Sequence, residues 1–398
     1  MRVTHLSASG EIGGAESVIL ACIRAGDGWP GAESSVVTLG TGPFLAAAER
    51  LGACIRPVPP PASLSEFGDS FATATSLARR IGPMALAFPA FFRRFSKTIS
   101  ELLPQVIHSH GIKTHVLAAL LPRRAAVVWH LHDYVGLRPV ASRLLSLLAR
   151  RCDLVVAVSE SVAEDARRWF PARVPVVVVH NPVDETRFVP DGPVLDLDAL
   201  SGLPPAVAGT TRIGLPATFA RWKGQEIFLA AVARMNHRDI RAYVIGGPLY
   251  STGNSQWSQA ELESLATELQ LEGQVGFTGV VDDMPAAYRA LDIVVHGSTR
   301  PEPFGLVITE AMACGRAVVA SVAGGAGELF IPDQHAIGIE AGDANVLARA
   351  LDGLVLDPQK RSALGRRARA HAVESFGSDR FVASLRCALS RVHSGSPE

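Results

Sequence analysis

The segment richest in chemistry is Arg300-Pro-Glu-Pro-Phe-Gly-Leu-Val-Ile-Thr-Glu310. Pro301 and Pro303 stiffen its first half, Gly305 lets a ligand approach the backbone, and the apolar run from Leu306 opens a helix. Glu302 then falls in the turn ahead of that helix, and Glu310 lies about one and a half turns into it. Two carboxylates placed this way suit a polyol, because each accepts hydroxyl hydrogen bonds at about 1.5–3 kcal/mol apiece. The amides of Phe304, Gly305 and Leu306 sit at the helix N-terminus, where unpaired N–H groups and the helix dipole favour phosphate. The plainer reading is a helix whose acids only complement its own dipole.

A cation for that phosphate is at hand. The chain has only four lysines, Lys97, Lys113, Lys223 and Lys360, among thirty-eight basic residues. Lys223 stands just before a helix expected from Gln225, placed as a phosphate-binding point charge. Arg221 and Arg300 are further cations beside these two segments.

Four histidines compete for a polar role in the first half: His108, His110, His130 and His132. His132 follows an expected strand over 126–130, although a single His is more often a satisfied structural one. In 9–16, Gly13 and Gly14 stand at a strand-to-helix turn, where bare amides can approach a phosphate or a second substrate. Neither Gly10, Gly13 and Gly14 nor Gly324, Gly325 and Gly327 has the G-x-G-x-x-G spacing of a dinucleotide fold. Asp282-Asp283 precedes a helix, and N-capping explains it. No metal-ligand arrangement stands out, so neither a metal nor a bound cofactor is expected.

The elements that must position these residues alternate. Short apolar runs at 3–7, 35–39, 106–108, 126–130, 154–158 and 176–180 read as strands, and so do 212–216, 242–245, 275–278, 293–296, 317–320 and 336–339. Helical patterns separate them. Strands this apolar suit parallel sheets covered on both faces. The fold class is therefore α/β, with two doubly wound, Rossmann-like domains facing across a cleft. The expected boundaries are 1–188, a Pro- and Gly-rich linker at 189–210, 211–376, and a closing helix at 377–398 that packs back on the first domain. The stretch 57–70 reads as a long surface loop.

Composition narrows the classes. With 398 residues, 48% hydrophobic and 19% charged, the chain is globular. Lys+Arg 38 equals Asp+Glu 38 overall, but residues 1–190 hold 20 basic against 15 acidic residues, which leaves 18 against 23 beyond. That split argues against a general nucleic-acid binder and leaves an anionic surface or substrate to the first half. Cys22, Cys54, Cys152, Cys314 and Cys387 show no pairing pattern, as expected of a reducing cytoplasm. No run approaches the roughly 18–20 apolar residues that cross a bilayer. In 79–103, Phe88, Phe91, Phe92 and Phe95 interleave with Arg93, Arg94 and Lys97, which reads either as a core-packed helix with a charged face or as a peripheral contact with an anionic inner-membrane face.

Taken together the motifs resemble one family. Glu302 to Glu310 is similar to the Glu-x7-Glu element of retaining GT-B glycosyltransferases of family 4. In the same order as in that family come Gly13-Gly14-Ala15-Glu16, His108-Ser-His110-Gly111, His130-Leu-His132-Asp133, Val158-Ser-Glu-Ser161 and Asn181-Pro-Val-Asp184. Arg221-Trp-Lys223-Gly224, Gly246-Gly247-Pro248 and Gly324-Gly325-Ala-Gly327-Glu328 follow. The resemblance implies metal-independent transfer of a hexosyl or N-acetylhexosaminyl group, with retention, from a nucleoside-diphosphate sugar to a hydroxyl acceptor, in bacterial glycan or polysaccharide synthesis.

It also implies the roles. Lys223, with Arg221 or Arg300, Gly14 and the Phe304–Leu306 amides would hold the diphosphate. Glu302 would accept sugar hydroxyls and Glu310 ribose hydroxyls. His132 would donate a hydrogen bond to the sugar, while Gly13, Gly14 and His110 serve the acceptor side. Thr218 departs from the pattern, since relatives commonly carry an Arg there. A catalytically silent sugar-nucleotide-binding module, an epimerase and a NAD-dependent oxidoreductase are the alternatives.

Overall fold

The structure, a computed structural model, describes residues 1–65, 74–248 and 255–393, without the side chains of 65, 74–85 and 393. It divides into two units, Met1–Pro182 with Asp379–Glu398, and Val183–Ser378.

The first unit holds a seven-stranded sheet: β1 (Arg2–Ser7), β2 (Glu33–Thr38), β3 (Cys54–Pro57), β4 (Val106–His110), β5 (Ala126–Leu131), β6 (Leu154–Ala157) and β7 (Val176–Val178). The order is β3-β2-β1-β4-β5-β6-β7, and every pairing is parallel. The second unit holds β8 (Thr211–Pro216), β9 (Ile240–Ile245), β10 (Val275–Gly279), β11 (Ile293–His296), β12 (Ala317–Ser321) and β13 (Ile337–Ile339). Its order is β10-β9-β8-β11-β12-β13, again all parallel. Both are doubly wound Rossmann-like α/β sheets. Strand order reverses between β1 and β4 in one and between β8 and β11 in the other. A ligand crevice opens at the carboxyl ends of strands at such a reversal, because the flanking loops diverge to opposite faces.

Apolar side chains of the central strands make each core. Val3, Val106, Val128, Leu154 and Val156 pack with Phe381, Leu385 and Leu389 of the last helix, Ser378–His393. Ile213, Leu215, Phe228, Val244, Val295 and Val319 do the same in the second unit.

Some details differ from the sequence expectation. Cys54–Pro57, expected within no strand, adds an exposed edge strand to the first sheet. Its mixed pattern carries no apolar alternation, and pairing with β2 holds it. The loop expected over 57–70 includes the short helix Ala62–Ser65, and residues 66–70 lie outside the described residues. The segment 189–210, expected as the linker, belongs to the second unit. Its helix Leu197–Leu200 carries Asp198, which accepts from the Tyr243 hydroxyl at 2.8 Å, Arg212 at 3.2 Å and the Ala206 amide at 3.0 Å. Pro and Gly there mark an ordered irregular segment tied to a buried carboxylate.

The basic aromatic segment forms the helix Ala74–Leu102. Phe91, Phe95 and Ile99 are buried, whereas Arg93, Arg94 and Lys97 are exposed, the arrangement of a core-packed helix with a charged face. The side chains of Arg79 and Arg80 lie outside the described residues. No described helix is long and apolar enough to cross a membrane.

Candidate functional site

In the second unit the loops after β8 and β11 come together. Gly224 makes this close approach possible: its φ is +83°, and a Cβ there would stand 1.9 Å from the Gly297 carbonyl oxygen. The Trp222 carbonyl accepts from the Thr299 amide at 2.8 Å and from its hydroxyl at 3.2 Å. The turn Arg221–Lys223 is thereby fixed against the loop that carries Glu302, ahead of the helix Gln225–Arg234.

Across this junction Lys223 Nζ lies 2.6 Å from Glu302 Oε2. The same carboxylate oxygen accepts from Ser298 Oγ at 2.7 Å and lies 3.2 Å from His296 Nε2. Burial works against ionising Glu302, but the Lys223 ammonium and the His296 contact hold its carboxyl well below the usual range. Its backbone is clamped too. The Glu302 amide donates to Ala323 O at 3.0 Å and its carbonyl accepts from the Gly325 amide at 2.8 Å, which ties it to the 324–328 motif. The ammonium also rests 4.1 Å from the Trp222 ring centroid.

The helix Leu306–Ala313 starts at Gly305, whose φ of +101° is left-handed and whose lack of a side chain leaves the first turn without a side-chain cap. Phe304, just before it, is buried edge-on against Phe376. Farther along, Glu310 accepts from the Tyr288 hydroxyl at 2.8 Å. Burial pushes its carboxyl up to about 7, against the pull of Tyr288 and Arg187.

The two arginines beside Lys223 differ. Arg221 donates to Glu261 at 2.8 Å and stacks 3.7 Å from the Trp257 ring centroid. Arg300 is exposed two residues ahead of Glu302 and has no ion pair among the described residues. The Thr218 carbonyl accepts from Gln225 Nε2 at 2.7 Å.

In the first unit, Gly13 caps and Gly14 opens the helix Gly14–Arg24 that follows β1. Glu16 organises the turn: it accepts from the Gly13 amide at 3.2 Å and from Ser7 Oγ at 2.7 Å. His110 Nδ1 lies 2.9 Å from His132 Nε2. Burial lowers both imidazoles, that of His132 to about 4, so they are neutral at physiological pH.

The family model described as Glycosyl transferases group 1 matches residues 209–371, and that described as Glycosyltransferase Family 4 matches residues 12–187. A D-inositol 3-phosphate glycosyltransferase of Catenulispora acidiphila is 32% identical over 310 residues, 72% of this chain and 67% of that protein. The chain belongs to glycosyltransferase family 4.

Other relatives match over shorter spans. The lipopolysaccharide core biosynthesis mannosyltransferase of Rhizobium leguminosarum bv. viciae is 30% identical over 60% of this chain and 64% of its own. For a D-inositol 3-phosphate glycosyltransferase of Salinispora tropica the matched share is 34% of that protein. Thus the chain spans less than two thirds of the length of these curated relatives. Among solved structures, Anabaena HepE in complex with UDP matches with a TM-score of 0.80 and 26% identity, covering 100% of both chains. The fold is the family's GT-B architecture of two Rossmann-like domains.

Against the family 4 pattern, the structure brings Lys223, Glu302 and the first turn of the Leu306–Ala313 helix together, with Glu310 on that helix. Arg221 is turned to Trp257 and Glu261. In the first unit it brings His110 and His132 into contact and sets Gly13 at the helix start. Sequence reasoning missed His296, Ser298 and Tyr288, which hold the two glutamates, and Ser7, which donates to the motif residue Glu16 at the glycine turn. His296 closes β11 with Ser298 two residues on, so a polar strand end before a carboxylate turn was the available signal. Tyr288, 22 residues before Glu310, left none.

Proposed function

We propose that the protein is a retaining glycosyltransferase that moves a sugar from a nucleoside-diphosphate donor to a hydroxyl acceptor. The observation that carries this reading is the pairing of half-buried Lys223 with buried Glu302 at the point where strand order reverses in the second domain. The Lys223 ammonium is pre-positioned by Glu302 and the Trp222 face, so little side-chain ordering remains when a diphosphate binds. As the bond from the anomeric carbon to the diphosphate oxygen breaks, charge builds on that oxygen. Lys223, Arg300 and the amides at the start of the Leu306–Ala313 helix stabilise it. Glu302 accepts sugar hydroxyls and keeps Lys223 in place, and Glu310 accepts ribose hydroxyls. The leaving oxygen takes the acceptor's proton on the same face, which gives retention. His132 donates to the sugar, and His110, Gly13 and Gly14 serve the acceptor side.

HepE is solved with UDP and with UDP-glucose. A Mycolicibacterium smegmatis relative, 26% identical over 82% of its length, is named a GDP-mannose-dependent mannosyltransferase. Both support a hexosyl donor and make UDP and GDP the first nucleotides to test. The anomeric configuration of the product, read by NMR, tests retention, and an inverted product rejects it. A catalytically silent sugar-nucleotide module is the second reading. The engagement of Arg221 elsewhere and Thr218 in place of the usual Arg favour it, and nucleotide binding without turnover over all donors tried would establish it.

The acceptor side meets an anionic membrane surface in this reading. On and beside the helix Pro139–Leu148, Leu137, Val140, Leu144 and Leu147 form an exposed apolar stripe, with Val140 84% exposed. Exposed Arg138, Arg143, Arg150 and Arg151 flank it, and no acidic residue occurs in 134–152. Apolar area bordered by arginines matches an anionic bilayer. It serves better than 79–103, whose phenylalanines Phe91 and Phe95 face inward.

A further inference from the structure

The first domain carries a cluster of five histidines, His5, His108, His110, His130 and His132, of which the proposed transfer uses only His110 and His132. β1, β4 and β5 lie side by side, and residues two apart on a strand share a face. His5 stands opposite His108 in register, and His110 stands opposite His130, with His132 two residues beyond. The rings touch: His108 and His110 centroids are 4.4 Å apart, His130 and His132 4.5 Å, and His5 and His108 5.3 Å. Neither ring nitrogen of His108 has a hydrogen-bond partner, although the residue is fully buried. Leaving such groups unpaired costs about 1–3 kcal/mol each, and buried polar atoms in this state call for a partner other than the protein.

His5 shows what that partner is. Its Nε2 lies 2.8 Å from Asp27 Oδ1, and Asp27 is itself buried, with φ of +48° and its other oxygen accepting from Ser34 Oγ at 2.6 Å. A carboxylate on Nε2 fixes the proton there and leaves the lone pair on Nδ1. That lone pair lies 3.4 Å from His110 Nε2. The separation is long for a hydrogen bond between imidazoles. It equals the edge of a tetrahedron whose ligands stand about 2.0–2.1 Å from a central ion, about 3.3–3.4 Å. A metal-bound imidazole that donates its other N–H to a carboxylate is the usual outer-shell arrangement. The ligating atoms of His5, His108 and His110 all lie within 4.8 Å of one another.

We propose that His5, His108 and His110 form a site for one divalent transition-metal ion of the zinc class, oriented by Asp27 and Ser34. Neutral imidazoles suit zinc, cobalt and nickel, and three of them leave a coordination position for water. The site stands independently of the donor reading.

The ion also sets a proton. Bound through Nε2, His110 must carry its hydrogen on Nδ1 and donate it to His132 Nε2, 2.9 Å away. His132 then keeps its own hydrogen on Nδ1. Without the ion the order reverses: His110 keeps its hydrogen on Nε2, facing the His5 lone pair, His132 Nε2 donates to His110 Nδ1, and His132 Nδ1 is bare. The metal thus makes the Nδ1 of His132 a hydrogen-bond donor instead of an acceptor.

The test uses the full chain without a histidine tag, stripped by chelation and titrated with Co²⁺. The expected result is one Co²⁺ per chain with the visible absorption of a low-coordinate site, displaced by Zn²⁺. His5→Gln and His108→Leu should abolish it, and Asp27→Asn should weaken affinity about 10–100-fold. Imidazole ¹⁵N spectra of the wild type, which need no variant to fold, should show the His132 hydrogen moving from Nε2 to Nδ1 as metal is added. Absence of bound Co²⁺ at a several-fold excess, unchanged His132 resonances, or an absorption retained in both folded histidine variants overturns the proposal.

Discussion

Lys223 Nζ and Glu302 Oε2, 79 residues apart in the chain, are 2.6 Å apart in the second domain, with Glu302 buried and Lys223 only 22% exposed. The pair is held from both sides, by the Gly224–Gly297 crossing and by the backbone bonds of Glu302 to Ala323 and Gly325. In the proposed function, an ammonium stored against a carboxylate is ready to be shared with an incoming diphosphate.

Lys223→Ala should lower kcat/KM at least 100-fold and weaken nucleoside-diphosphate binding. It also leaves a buried carboxylate unpaired, at about 3 kcal/mol in denaturant unfolding. Adding Glu302→Gln should recover part of that stability without recovering activity, and a double variant as unstable as the sum of the singles would refute the pairing. Because the Glu302 carboxyl is held low, the pair's stabilisation is present above the ordinary carboxyl range near 4.5 and is lost as pH falls through the lowered value.

Glu310 has the opposite sign. Burial raises its carboxyl to about 7, so it is about half protonated at neutral pH. In its proposed role Glu310 accepts ribose hydroxyls in the charged form, so nucleotide affinity should rise between pH 6 and pH 8. Glu310→Gln should flatten that rise, and Tyr288→Phe, which removes a donor favouring the carboxylate, should move it to higher pH. A raised carboxyl also means that the group's contribution to stability falls as pH climbs from about 4.5 to about 7. Calorimetric titrations at several pH values check the binding trend.

Gly224→Ala would place a Cβ into the Gly297 carbonyl at a left-handed φ. The expected cost exceeds about 3 kcal/mol in stability, with loss of nucleotide binding as the Lys223 turn moves. Wild-type-like unfolding and binding would remove the crossing from the account.

The two arginines should separate. Arg221 is committed to Trp257 and Glu261, so Arg221→Ala should change nucleoside-diphosphate affinity less than 3-fold, whereas Arg300→Ala should cost about 10-fold. The reverse order in calorimetry would assign the second phosphate contact to Arg221.

The exposed stripe predicts sedimentation with anionic vesicles that weakens at high salt. Leu144→Glu with Leu147→Glu should abolish it and leave nucleotide binding intact. Persistence in that variant would exclude the surface.

Much of this was legible in the sequence because parallel strands buried on both faces announce themselves as apolar runs, and twelve of the strands fall on such runs. The edge strand Cys54–Pro57 lacked the pattern because only one neighbour and little burial hold it. The site was legible where chemistry sits in one segment, as from Glu302 to Glu310. It was not where partners come from distant elements: Tyr288 meets Glu310, and Asp27 meets His5, only through packing. The irregular stretch 189–210 looked like a linker because Pro and Gly report absent periodicity, while what orders it is the contact of Asp198 with Tyr243 and Arg212.

The most direct test of the donor site is calorimetric titration of the protein with UDP, GDP and ADP, repeated on Lys223→Ala with folding checked by circular dichroism. One nucleoside diphosphate should bind tightly, and at least 10-fold more weakly to the variant. Binding of none, or equal binding by a folded Lys223→Ala protein, would contradict it.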